Sequence, residues 1–419
     1  MADDLDALRA ALDTPAAVRP AGPGDAVDGV TPRVVASPGS TEEAAALLRV
    51  AAARNLAVVV AGAGGKQDWG NPPRRLDLRL DTRRLSGVVE HAAGDLIVVV
   101  RAGTPLDEVQ AKVAPAGQHL ALDAPLPPGA AGATVGGVVA TNTSGPRRMR
   151  YGTVRDLLIG VTMVRPDGVV ARAGGKVVKN VAGYDLGKLL TGAYGTLGLI
   201  TECAFRLHPL PATRAYVRRP AADAAEAGRL AAAVLGAQVM PSALEVDAPV
   251  DGGVEVAVLL EGTATGVGER VAETRRLLGG ATADDDPPPW WPAYPWRVGD
   301  VGLKLTAALS GVPRLLAASA EARRRHDVPL TVRGSAGTGV LYGGLPADAP
   351  PEAVARTVAE LRAAATAVGG HAVVLTAPAA VRELVDVWGP VNGLELMHRV
   401  KHQFDPDARF APGRFVGGI

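Results

Sequence analysis

The sequence predicts an α+β protein of two domains, and three observations carry that expectation. Up to about residue 211, helix-period and strand-period segments alternate across dense glycine loops. From about Ala212, alanine-rich amphipathic helices alternate with short strands and the glycine loops thin out. The chain has 419 residues, 47% of them hydrophobic, which is enough for two or three separate cores.

The composition also narrows the function. A net charge of +1 argues against a nucleic-acid partner. The single cysteine, Cys203, excludes an intramolecular disulfide framework, fits a reducing compartment, and leaves no thiolate cluster for zinc or iron–sulfur. The opening residues MADDLDALRAALDTP are acidic and lack the basic start and apolar core of a signal peptide, and no long uncharged apolar run follows. The expectation is a cytoplasmic protein with no direct membrane insertion.

Taken in order, Ser40 and Glu43 have capping-box spacing, so a helix should run from there to about Arg54. Leu56 to Val60 is continuously apolar and reads as a buried strand. It opens into Gly62-Ala63-Gly64-Gly65, whose glycines permit the turns of a phosphate-binding loop. Lys66 and Gln67 follow. A lone lysine in such a loop is more often solvated than functional, but beside a pyrophosphate it supplies charge. Leu96 to Val100 is a second strand, and Thr104-Pro105 starts the next helix.

Thr134 can N-cap a short helix, Val135 to Ala140, that contains Gly136 and Gly137. Each glycine weakens a helix by about 1 kcal/mol relative to alanine, so an adjacent pair needs a packing or ligand-approach reason. Bare amides at a helix start suit an anion, although a tightly packed helix without ligand accounts for the pair equally well. Thr141, Asn142, Thr143 and Ser144 are short hydrogen-bonding side chains, followed by Gly145-Pro146 and the basic Arg147, Arg148 and Arg150. LLIGVTMV and VVARA read as strands joined by the turn Pro166-Asp167-Gly168. Between Asn180 and Gly198, five glycines bracket an amphipathic turn around Leu186, Leu189 and Leu190. No GxGxxG follows a strand and precedes a helix with an acid some twenty residues on, which disfavours a Rossmann nicotinamide site.

In the second half, helices are expected over Ala221–Ala237, Val267–Leu278, Pro313–Arg325 and Glu352–Ala367. Strands are expected over Ala243–Val246, Val254–Glu261 and Leu303–Ala308, around Leu330 and Leu341, and over Ala372–Thr376. This alternation suits an antiparallel sheet with helices on one face. The proline-rich loop carrying Trp290, Trp291, Tyr294 and Trp296 can wall a substrate approach, contact a protein partner, or simply anchor itself on the sheet. A last helix from Gly393 should stop at Phe404, before Asp405-Pro406.

Three stretches, GATVGGVVATNTSG (Gly132–Gly145), RYGTVRD (Arg150–Asp156) and NVAGYDLGKLLTGAYGTLGLITE (Asn180–Glu202), resemble the FAD-binding domain of the vanillyl-alcohol oxidase and p-cresol methylhydroxylase superfamily. In particular they resemble the FAD-binding subunits of bacterial glycolate oxidases. The resemblance implies a two-part FAD-binding domain of the p-cresol methylhydroxylase type in residues 1–211, an antiparallel α+β cap in 212–376, and a segment, 377–419, that returns to the FAD domain. It implies FAD contacts from Gly62, Ala63, Gly64, Gly65, Lys66, Gln67, Thr134, Gly136, Gly137, Ala140, Thr141, Asn142, Ser144, Gly145, Tyr151, Gly152, Val181, Gly195, Gly198 and Ile200. Covalent members carry a histidine in the first glycine loop; Lys66-Gln67-Asp68-Trp69 stands here instead, so FAD is expected to bind non-covalently.

The cap departs from the family's hydroxy-acid dehydrogenases. Where they carry a stretch like GHAGDGNLH, this chain has GSAGTGVLY (Gly334–Tyr342): Ser335 and Tyr342 replace both histidines, and Thr338 and Val340 replace the acid and amide. Hydroxyls alone hold divalent metals poorly, so no metal is expected. His398 and His402, at i,i+4 spacing, read as a polar face near the flavin rather than as ligands. Ala411 stands before Pro412 where the family often has asparagine.

The implied activity is FAD-dependent oxidation of a small 2-hydroxy acid such as glycolate. Arg333 and Lys304 are the candidates for the substrate carboxylate and Tyr342 is a polar neighbour, a solvated surface position being the alternative for both cations. With one cysteine and no membrane segment, electrons need partners, implied to be a second flavin subunit and an iron–sulfur subunit, which would hold the chain at the inner face of the membrane. The alternatives are a non-catalytic flavin-carrying or structural subunit, and a stand-alone flavin oxidase of another alcohol or sugar.

Overall fold

The computed structural model describes residues 2–176 and 184–419. Near the N-terminus, helices α1 (Ala2–Ala10) and α2 (Thr41–Ala53) pack on a four-stranded sheet of β1 (Val18–Pro20), β2 (Val34–Ala36), β3 (Val58–Ala61) and β4 (Leu78–Asp81), in the order β1-β2-β4-β3. Ser40 caps α2 by accepting from the Glu43 amide at 3.0 Å, while the Glu43 carboxylate accepts from the Gly39 amide, one residue before the cap. Leu47 and Leu48 of α2 and Leu78 and Leu80 of β4 are fully buried between the layers.

The next unit contains β5 (Val88–Ala92), β6 (Ile97–Arg101), β7 (Gln118–His119), β8 (Leu158–Val164), β9 (Val170–Gly174), β10 (Leu199–Arg206) and β11 (His208–Pro209). β7 and β11 form a two-residue ribbon; the rest make an antiparallel sheet in the order β5-β6-β10-β8-β9. Helices α3 (Leu106–Val113), α4 (Val135–Thr141), α5 (Arg148–Tyr151), α6 (Val154–Leu157) and α7 (Leu186–Leu190) accompany this sheet. Val109, Val138 and Leu157 share a core with Val98, Met163 and Phe205.

The third sheet has eight strands, all antiparallel: β12 (Thr213–Ala221), β13 (Ala243–Ala248), β14 (Val254–Gly262), β15 (Thr282–Asp284), β16 (Val301–Thr306), β17 (Thr331–Ser335), β18 (Val340–Leu345) and β19 (Ala372–Thr376), in the order β15-β12-β14-β13-β17-β18-β16-β19. Helices α8 (Ala224–Leu235), α9 (Ala264–Leu278), α10 (Val312–His326) and α11 (Pro351–Ala367) share one core with alternate strand residues such as Leu244, Val246, Val256, Val258, Leu303 and Leu341. β12 was not expected from the sequence, because Arg214, Arg218, Arg219 and Pro220 interrupt the apolar run; Pro220 lies beyond the three residues that pair with β15, where β12 is an edge.

The chain closes with α12 (Ala379–Arg382) and α13 (Leu394–Phe404). Beyond α13 the backbone returns to β3: the Val58 amide donates to the Arg409 carbonyl and the Ala411 amide to the Val58 carbonyl. Phe410 is fully buried beside β3.

Candidate functional site

Glycines decide how closely three loops approach. A Cβ on Gly62 would stand 2.3 Å from the Thr134 hydroxyl, and one on Gly65 would stand 2.7 Å from the Gly132 carbonyl. Thr134 also caps α4, accepting from the Gly137 amide at 3.4 Å. The third loop docks on the far end of α4 through amides of Gly192 and Tyr194 bonded to the Val139 and Ala140 carbonyls. Between these loops lies a cleft of about 930 Å³, open to solvent.

Of the sequence-predicted cofactor residues, Gly62, Ala63, Gly64, Gly65, Lys66, Gln67, Thr134, Gly136, Gly137, Ala140, Thr141, Gly195, Gly198 and Ile200 line this cleft. Asn142, Ser144, Gly145, Tyr151 and Gly152 lie off it, and local structure accounts for them. Asn142 ends α4 in the left-handed region, and the Ser144 hydroxyl accepts from the Val154 amide at 3.0 Å. Gly145 lies against Asp123, Tyr151 packs its ring between those of His119 and His208, and Gly152 takes a positive φ at the end of α5. Val181 falls outside the described residues.

The cleft's electrostatics suit an anion. Burial brings Lys66 down to about 8, and among the described residues it has no carboxylate within salt-bridge distance; its ammonium lies 5.7 Å from the centre of the Trp69 ring. Arg414, a lining residue that the sequence reading missed, is 4% exposed. One of its nitrogens donates to the carbonyls of Gln67 and Trp69, while buried Nη1 and the buried Oε1 of Gln67 have no protein partner. Glycine-cradled backbone, two cations and two unpartnered polar atoms fit a dinucleotide carrying a pyrophosphate.

The helix-free face of the eight-stranded sheet carries the rest of the site. Register places Asp247, Arg333, Tyr342 and Lys304 in one cross-strand row over β13, β17, β18 and β16. The three predicted substrate-binding residues are therefore neighbours, but their side chains differ. Arg333 is committed to the protein: Nε donates to Asp247 at 2.7 Å and Nη1 to the carbonyls of Trp290 and Ala293. It fixes the tryptophan loop to the sheet instead of presenting a free cation. Tyr342 accepts from Arg148 Nη2 at 3.0 Å. Burial pushes the Tyr342 phenol up, but Arg148 and Lys304 outweigh it and bring it below its usual value.

The tryptophan loop packs inward. Tyr294 and Trp296 are buried and stacked, with Trp69 and Tyr342 against them. Tyr194, from the cleft, joins the same cluster, so the aromatic wall links the cleft to the sheet face. These buried rings anchor the loop on the sheet, which removes Tyr294 and Trp296 from the candidate contact with a protein partner. His398 and His402 are exposed on α13. The sequence reading noted Arg148 only as part of a basic run and passed over Glu245 and Tyr194; the signal available for Glu245 was an acid inside the apolar strand ALEVDA.

A dinucleotide cleft of this build, next to a separate sheet with helices on one face, defines a flavin-binding architecture. Residues 32–174 match the FAD binding domain family, and FAD is the cofactor of this flavoprotein. Glycolate oxidase subunit GlcE of Escherichia coli is 39% identical over 164 residues, 39% of this chain and 45% of that protein. D-lactate dehydrogenase of Archaeoglobus fulgidus is 35% identical over 176 residues, 42% of this chain and 39% of that protein. Each match thus spans less than half of the curated relative. In fold, the chain is similar to p-cresol methylhydroxylase, with a TM-score of 0.74 at 15% identity over 99% of this chain and 96% of that one. Among the described residues, no helix is long and apolar enough to cross a membrane.

Proposed function

We propose that the chain is an FAD-dependent oxidoreductase acting on a small 2-hydroxy acid, with glycolate and D-lactate as the nearest models, and that it works with other subunits that carry the electrons onward. The observation that carries this reading is the Arg148–Tyr342 pair, placed on a sheet face that an aromatic wall connects to the glycine-lined cleft. Relatives named as a glycolate oxidase subunit and a D-lactate dehydrogenase support the substrate class, and the word subunit supports a complex.

The cleft residues from Gly62 to Gln67 and from Thr134 to Thr141 would hold FAD without a covalent bond, with Lys66 and Arg414 offsetting pyrophosphate charge. Bound FAD supplies the hydride acceptor. In the ionised form that Arg148 and Lys304 favour, Tyr342 takes the hydroxyl proton and becomes the neutral phenol, and a substrate carboxylate is drawn to the same cations. Arg333 keeps the Trp290 loop in place as the site's wall.

Anaerobic mixing with glycolate and with D-lactate tests the reading through flavin absorbance. Bleaching by the chain alone identifies an independent dehydrogenase, and bleaching only after co-expression with partner subunits identifies a complex. An unchanged spectrum in both overturns the proposed substrate class.

A further inference from the structure

Next to Tyr342, a second, small cavity opens between α5 and the sheet, bounded among others by Pro125, Arg148, Glu245, Tyr294, Ser335 and Tyr342. Two features mark it as more than a packing gap. Arg148 uses Nε on the Gly145 carbonyl and Nη2 on Tyr342, while among the described residues Nη1 takes no hydrogen bond and no carboxylate lies within salt-bridge distance. Glu245 is 5% exposed, and its Oε1 is buried without any partner. A buried acid with an unmet oxygen is costly unless something occupies the cavity, and Arg148 sets a cation with a spare donor on the same lining.

We propose that this cavity binds a small monocarboxylic acid, with Arg148 gripping the ligand's carboxylate and Glu245, as the uncharged acid, donating a hydrogen bond to it. The proposal rests on the reading above and deepens it by naming the groups that recognise the substrate's acid end. The chemistry is consistent on both sides. A guanidinium and a carboxylate form short charge-assisted bonds, and a protonated carboxyl is the one form of Glu245 that can donate. Burial pushes Glu245 up to about 8, against the opposing pull of the neighbouring Ser335 hydroxyl and Arg148.

The groups facing Glu245 are few. From α5 comes Arg148, and from β17 Ser335, with Arg333 closed on Asp247. From β18 comes Tyr342, and from the tryptophan loop Tyr294. Asp123 adds a further influence that favours the neutral form, and its own carboxylate accepts from the Arg147 amide. Below about pH 8 Glu245 therefore supplies a donor; above it, the carboxylate repels an anionic ligand and competes for Arg148.

The test uses acetate, which has the carboxylate but no oxidisable hydroxyl, titrated into the FAD-loaded protein and followed by calorimetry at pH 7 and pH 9. Acetate should bind, and its affinity should fall about tenfold or more at pH 9, the loss expected when one unit of pH separates a donor from its ionised form. Glu245→Gln should still bind and lose most of this pH dependence, and Arg148→Met should bind at least tenfold more weakly, both with unchanged circular dichroism. Absence of acetate binding, or a pH profile identical in wild type and Glu245→Gln, overturns the site. If Arg148→Met fails to fold, Arg148→Lys serves in its place, and undiminished acetate affinity in that variant overturns the guanidinium grip. Flavin reduction by glycolate with no acetate binding would leave the oxidation reading standing and refute this site; acetate binding without flavin reduction would do the reverse.

Discussion

Arg147 and Glu261 meet across 114 residues of sequence, Nη2 to Oε1 at 2.9 Å and Nε to the same oxygen at 3.0 Å. The pair ties the glycine-rich half of the chain to β14 of the eight-stranded sheet, and the Glu261 side chain is 1% exposed. Tyr151 adds its hydroxyl to the other carboxylate oxygen at 3.4 Å. Removing Arg147 strands a buried charge, so Arg147→Ala should cost about 3–5 kcal/mol in denaturant unfolding, whereas Arg147→Met combined with Glu261→Leu should recover most of that loss. A single-variant cost below about 1 kcal/mol would show that the pair does not hold the two parts together.

Lys66 should make FAD binding depend on pH. Its folded value lies at about 8, below the usual 10.5, because burial disfavours the ammonium. In the FAD-free protein, the unfolded chain therefore holds more protons between about pH 8 and 10.5, so stability attributable to this group rises with pH across that window. A bound pyrophosphate would restore the charged form and take up a proton. FAD affinity should thus weaken as pH rises past 8, and Lys66→Met should bind FAD more weakly with a flatter profile. Equal affinity for the two proteins at every pH would place the pyrophosphate away from Lys66.

Acid precipitation separates free from attached flavin. With Lys66, Gln67, Asp68 and Trp69 in the first glycine loop, no histidine is offered there, so FAD should appear intact in the supernatant. Flavin retained in the pellet would identify a covalent link elsewhere in the chain.

Chelation should leave flavin content and flavin reduction unchanged. Ser335 donates to the Leu244 carbonyl and Tyr342 is held by Arg148, and neither is a strong divalent-metal ligand. Activity lost to a chelator and restored by manganese or zinc would contradict this.

Much of this architecture was legible because local patterns and tertiary structure agree. The Ser40 cap, the helix over Glu352–Ala367 and the strand Ala372–Thr376 each follow from a cap or an apolar period that burial then uses. β12 was hidden because its arginines break the apolar run, and their partners, Glu255 and Asp284 for Arg218 and Glu226 for Arg219, become neighbours only in the folded chain. The row of Asp247, Arg333, Tyr342 and Lys304 depends on register among four strands, and register is not written in any one of them. That is why Arg333 read as a free cation: its partner Asp247 lies 86 residues away and becomes adjacent only when β13 pairs with β17. Arg414 was similarly invisible, since it reaches the first glycine loop over 347 residues.

The flavin content of a Gly137→Leu variant tests most directly the claim that the glycine-lined cleft is the FAD site. A Cβ at Gly137 meets only the Thr134 hydroxyl, at 3.2 Å, and the residue borders the cleft, so a larger side chain should project into the ligand's space while the fold survives. Gly136 is the contrasting position, because a Cβ there stands 2.9 Å from the Ala102 Cβ and should disturb the packing itself. Purified wild type should be yellow and carry FAD, and Gly137→Leu should be colourless with unchanged circular dichroism. A Gly137→Leu protein that retains full FAD occupancy would contradict the placement.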